Sequence, residues 1–140
     1  MVELVSPIPR YVLRSGHQAL GLANIRNTAG TSTTAIYGFS DKPQYDVFMR
    51  QYSKPPTPYP LVRCYLQDQM ELGSETLRLV LIDATSSTQA TVYAVTFPAL
   101  ANALLLGHTT IELSHQLLLD QTESIYQVLA LSQISKQANL

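Results

Sequence analysis

Leu77, Leu79 and Leu81 alternate with Arg78, Val80 and Ile82, a two-residue period that reads as one strand with an arginine on a face otherwise apolar. A second run, Ala90-Thr-Val-Tyr-Ala-Val-Thr-Phe, is rich in β-branched and aromatic residues, and the polar Ala84-Thr-Ser-Ser-Thr-Gln joins the two. The pattern predicts an antiparallel hairpin from about Thr76 to Phe97. Pro98 stops the second arm, and the strong helix formers of Ala99-Leu-Ala-Asn-Ala-Leu-Leu-Leu predict a short helix ended by Gly107.

Elsewhere the periodicity is weaker. Gln44 to Tyr52 reads as a strand with Tyr45, Val47 and Met49 on one face, after a turn at Asp41-Lys42-Pro43. Lys54-Pro-Pro-Thr-Pro-Tyr-Pro is a stiff extended connector, because each residue before a proline is pushed towards extended geometry. Leu61 to Gln67 reads as another strand, and Thr109 or Thr110 as the cap of a helix carrying Ile111, Leu113, Leu117 and Leu118. Three segments stay open between helix and strand: Tyr11 to Arg26, with Gly16 and Gly21 inside it; Gly30 to Phe39, where Ser32 or Thr33 caps a helix if there is one; and Glu123 to Leu131. Gln133 to Leu140 is polar and reads as a frayed end.

At 140 residues the chain has the size of one domain, residues 1–140, and the expected class is α+β with an antiparallel sheet and a few helices packed on it. Its longest apolar stretch, Phe97 to Gly107, is broken by Pro98 and Asn102 and is well short of the roughly 20 residues of a membrane span. The first residues lack a basic segment followed by an apolar one, so the expected location is cytoplasmic. Only 14% of residues are charged, against about 25% in an ordinary domain. The surface is therefore either polar and neutral, with the abundant Thr, Ser and Gln, or covered by a protein partner such as a second copy in a homo-oligomer. A net charge of −1 with no basic cluster excludes the electrostatic footprint of a nucleic-acid binder.

The lone Cys64 excludes an internal disulfide and reads as a half-buried strand residue beside Val62. His17, His108 and His115 are too scattered for a metal site, and His115 reads as a partly exposed helix residue. No nucleophile elbow, phosphate loop or dinucleotide fingerprint is present. That leaves Arg78. A guanidinium on an apolar face either anchors an acidic ligand through two parallel hydrogen bonds, or pairs with a neighbouring carboxylate, or snorkels out at a sheet edge.

Several segments, in order, carry a likeness to known proteins. Thr28-Ala-Gly-Thr-Ser-Thr-Thr-Ala-Ile-Tyr is followed by Lys42-Pro-Gln-Tyr-Asp-Val; Leu77-Arg-Leu-Val-Leu-Ile is followed by Val92-Tyr-Ala-Val-Thr-Phe-Pro; and Leu105-Leu-Gly-His-Thr-Thr-Ile precedes Leu117-Leu-Leu-Asp-Gln-Thr-Glu-Ser-Ile-Tyr-Gln-Val-Leu. From about Gln18 to Leu131 the chain resembles the chorismate lyase and UTRA-like families, whose antiparallel sheet and covering helices enclose small-ligand pockets. The resemblance implies that Arg78 binds a carboxylate of the substrate and that the reaction removes pyruvate from chorismate to leave 4-hydroxybenzoate, with no metal or organic cofactor. It also brings the family's acidic residue to Ala130, which does no acid-base work, so that Glu123 is the nearest candidate for the catalytic acid. The chain stops about where the family continues into its last strands. Two expectations follow: an enzyme of this kind, or a non-catalytic relative that uses the fold for binding, assembly or structure.

Overall fold

The structure is a computed structural model and describes residues 5–16, 18–22, 25–27, 32–71 and 76–131; the side chains of Gln18, Cys64, Gln69, Met70 and Glu71 are not described. The chain opens with β1 (Val5–Pro7), β2 (Tyr11–Ser15), β3 (Gln18–Ala19), β4 (Gly21–Leu22), β5 (Ile25–Asn27) and β6 (Thr33–Phe39). Then come α1 (Lys42–Met49), β7 (Thr57–Pro60), α2 (Arg63–Glu71), β8 (Leu77–Ile82), β9 (Thr91–Thr96) and α3 (Phe97–Leu105). β10 (Thr110–Glu112), β11 (His115–Asp120) and β12 (Ile125–Ala130) complete it. The class is α+β, as expected.

The hairpin of β8 and β9 forms antiparallel, with Leu79 opposite Thr96 and Leu81 opposite Ala94. The helix after it starts earlier than expected, at Phe97, because Pro98 fits the first turn of a helix and the Thr96 hydroxyl accepts a hydrogen bond from the Ala99 amide at 3.2 Å. Gly107 takes φ of +71° just beyond its end.

Three expected elements are corrected. The segment after Asp41 is helix α1, not a strand: Asp41 caps it by accepting from the Lys42 amide, and Pro43 sits in its first turn. Its apolar residues obey a helical period, with Tyr45 and Phe48 buried three apart and Val47 facing out. The stretch from Leu61 is likewise helix α2 from Arg63, which carries Cys64, while the proline connector before it pairs with β2 as edge strand β7. The helix expected after Thr110 is instead β10 and β11, and Leu117 buried beside exposed Leu118 is the alternation of a strand. Of the open segments, Thr33 to Phe39 and Ile125 to Ala130 are strands, and the described parts of Tyr11 to Arg26 are short strands. His17, Thr28 to Thr31 and Gln133 to Leu140 lie outside the described residues.

The sheet is mixed, which corrects the purely antiparallel expectation. Its order is β3-β2-β6-β8-β9-β11-β12-β5, with β6 parallel to β8 and β5 parallel to β12. It curls: β4 pairs with β6 while β5, a few residues on, pairs with β12, and the Asn27 amide donates to the Thr33 hydroxyl at 3.1 Å. β1 and β10 form a separate pair.

Strand alternation divides the core in two. One face, within the curl, gathers Leu79, Leu81, Ala94, Leu117 and Val128 with the α1 residues Tyr45 and Phe48. The other face carries Val80, Ile82 and Val95 against Leu66 of α2 and Leu100 of α3. Two ends of the sheet are thereby defined, because β8 enters beside Thr96 and leaves towards the loop Asp83 to Ala90.

A clamp holds that second end. Asp83 has φ of +52°, and its carboxylate accepts from both the amide and the hydroxyl of Ser40, each at 2.8 Å, while its own amide donates to the Gly38 carbonyl. Asp83→Ala deletes both acceptors and leaves alanine in a left-handed conformation it resists, so a loss of about 2–3 kcal/mol is expected in urea denaturation. Asp83→Asn, which keeps one acceptor and tolerates that backbone, is expected to lose about half as much.

Candidate carboxylate-binding site

Arg78 follows the outward alternation of β8 and stands opposite Thr34 of β6 on the face that α2 and α3 cover. Its neighbours on that face, Val80 and Ile82, are buried, as the isolated arginine in the pattern implied. The side chain is half-buried, and its Nε is enclosed without a hydrogen-bond partner among the described residues. A buried N–H left unmade costs on the order of 1–3 kcal/mol, so this atom is poised to gain from an acceptor.

Tyr65 reaches the same region from α2, half-buried against the outer core. Burial pushes its phenol up, and the positive charges of Arg14 and Arg78 partly offset that rise. The hydroxyl is thus a neutral donor at ordinary pH. Arg14, on β2, holds its guanidinium 4.5 Å from the centre of the Tyr59 ring on β7. A guanidinium fork with an unmade N–H suits a carboxylate, and the Tyr65 phenol is a donor on the same side of the sheet.

Glu123 is elsewhere. It lies exposed in the turn between β11 and β12 and pairs with Arg26 of β5 at 2.7 Å. Register shows the separation: Arg78 is beside the Thr96 end of β9, whereas the turn lies beyond the Thr91 end, past Leu118 and Asp120 of β11. The two residues are not brought together.

No protein-family model, curated protein or solved structure matches this chain. The site is therefore read from its own chemistry. Ala130 pairs with His115, which is a half-buried strand residue and not a helical one. Its Nδ1 shares a 2.8 Å hydrogen bond with the Ser114 hydroxyl, and burial pushes the imidazole below its ordinary value. By alternation with Leu117 it faces the inside of the curl, away from Arg78. His108 is exposed after α3. Among the described residues no three His, Cys, Asp or Glu side chains group as metal ligands, and no helix is long and apolar enough to cross a membrane.

The sequence pattern marked Arg78 but missed Tyr65 and Arg14. The strand expected from Leu61 is helix α2, which sets Tyr65 against the outer core, and no local signal announces that packing.

Proposed function

We propose that this protein binds a small cyclic or aromatic carboxylate, of the kind chorismate lyase-like proteins hold, with Arg78 as the anchor. The observation that supports it is the enclosed Arg78 Nε with no partner among the described residues. A ligand carboxylate fits the two-pronged guanidinium and removes the penalty of the unmade hydrogen bond. Tyr65 supplies a second donor from α2. Binding is favoured over pyruvate elimination, because Glu123 is committed to Arg26 at the far end of the sheet and Ala130 has no titratable group.

Calorimetric titration with 4-hydroxybenzoate tests the reading. Saturable binding is expected, weakened about 10- to 100-fold in Arg78→Ala, the equivalent of roughly 1.4–2.8 kcal/mol. Equal affinity in both proteins overturns the anchor. Incubation with chorismate is expected to release no pyruvate; release that disappears in Glu123→Gln would establish the lyase instead.

A further inference from the structure

The loop from Asp83 to Ala90 is fixed at both ends. Ala84 is buried in the inner core, and the Ala90 carbonyl accepts from the Leu119 amide at 2.9 Å. Between them Thr85-Ser-Ser-Thr-Gln carries only uncharged polar side chains, and among the described residues no backbone–backbone hydrogen bond ties these five to the sheet. They hold a shape of their own instead. Gln89 Oε1 accepts from the Thr85 amide at 2.7 Å and from its hydroxyl at 2.9 Å, the Thr88 amide donates to Ser86 Oγ at 3.3 Å, and Gln89 Nε2 donates to the Thr91 carbonyl at the start of β9.

Two side chains from elsewhere fasten this piece to the body. Gln51, just past α1, is oriented because its Nε2 donates to the Phe48 carbonyl at 3.0 Å; its Oε1 then accepts from the amide and the hydroxyl of Ser87, at 3.0 and 2.8 Å. From β12 the Tyr126 hydroxyl lies 2.5 Å from the Gln89 carbonyl and 3.3 Å from that of Ser87. Tyr126 and Tyr37 both belong to the inner core and are buried. Burial, with the phenols of Tyr126 and Tyr52 nearby, pushes the Tyr37 phenol well above its ordinary value, so the three phenols share one neighbourhood at this end of the curl.

We propose that residues 85–89 form a flap that swings open as one piece about Ala84 and Ala90, latched by Gln51 and Tyr126, and so controls access to the phenols of Tyr126 and Tyr37. A segment shaped by its own bonds and fastened by a few side-chain bonds opens without unfolding the sheet, because those bonds contribute far less than the packed strands beneath. Thr85, Ser87 and Thr88 are exposed already, so the swing uncovers little of the flap itself. The latches differ in kind. Gln51 holds the flap from outside, whereas Tyr126 donates from within, and opening frees its hydroxyl for water or for an acceptor group on a small molecule.

Tyrosine nitration with tetranitromethane, mapped by peptide mass spectrometry, tests this together with hydrogen exchange on the same proteins. Gln51→Ala is expected to raise the nitration rates of Tyr126 and Tyr37 about 3- to 10-fold, the shift from losing a latch of ordinary net strength. Tyr59, 40% exposed, is expected to react alike in both proteins. The Ser87 amide is expected to exchange faster by a similar factor, while β8 and β9 stay as slow as in wild type. Tyr126→Phe, which removes the inner latch and keeps the ring, is expected to raise Tyr37 nitration in the same way. Unchanged protection of Tyr126 or of the Ser87 amide in Gln51→Ala overturns the proposal. So does a gain in reactivity accompanied by faster exchange throughout β8 and β9, since the sheet then opens with the loop.

Discussion

Phe48→Ala is expected to destabilise the protein by about 3–5 kcal/mol, the range of a large aromatic removed from a packed core. Phe48 is fully buried, and its ring lies 4.5 Å from that of Tyr37, 5.3 Å from Phe39 and 5.8 Å from Tyr52, centre to centre. The contacts with Tyr37 and Phe39 join α1 to β6, so the substitution leaves a void between helix and sheet rather than at a surface. Against a total stability of about 5–15 kcal/mol, a loss of this size consumes a large share of the native margin. Urea denaturation is expected to show a much lower midpoint with an unchanged slope, because the surface exposed on unfolding is nearly the same. A cost below about 1 kcal/mol would mean that α1 does not pack on the sheet through this face.

The second large effect is Gly21→Ala. A Cβ at Gly21 would press into the Ala35 carbonyl oxygen and stand 3.2 Å from the Ile36 Cα, both backbone atoms of β6. No rotamer change relieves such a contact, so β4 must move away from β6 and give up the pairing of Gly21 with Ile36 and Leu22 with Ala35. The expected cost is about 2–3 kcal/mol, the upper part of the overpacking range. Hydrogen exchange should locate it, with faster exchange in β4 and its partners on β6 and little change in the hairpin of β8 and β9. Uniform loosening of the whole sheet would contradict the local clash.

The hairpin was legible because its signal is local: alternating leucines, a β-branched partner strand and a polar connection between them. α1 is ambiguous in sequence because Tyr45, Val47 and Met49 satisfy a period of two, while the operative set is Tyr45, Phe48, Met49 and Tyr52 with helical spacing. The Asp41-Lys42-Pro43 turn was the clue, since the same residues make an N-cap followed by a first-turn proline. Leu117 and Leu118 are neighbours on either reading, and only the ladder to Val92 and Val128 settles which one faces inward. The parallel pairing of β6 with β8 joins residues more than forty apart, so no short-range pattern encodes it. Of the candidate site, Arg78 was visible as a break in an apolar alternation. Tyr65 and the distance between Arg78 and Glu123 depend on chain crossings and register, which emerge only when the sheet is assembled.

The proposed site rests on the enclosed Arg78 Nε–H, which a ligand carboxylate would satisfy. Proton–nitrogen correlation spectra of the arginine side chains, with Arg78→Lys to assign the resonance, observe that atom directly. On titration with 4-hydroxybenzoate the Arg78 Nε–H signal is expected to move downfield and exchange more slowly with water as it gains a charge-assisted acceptor. The Arg26 signal, already paired with Glu123, is expected to stay where it is. An Arg78 resonance unmoved at ligand concentrations that saturate the protein would rule out Arg78 as the anchor.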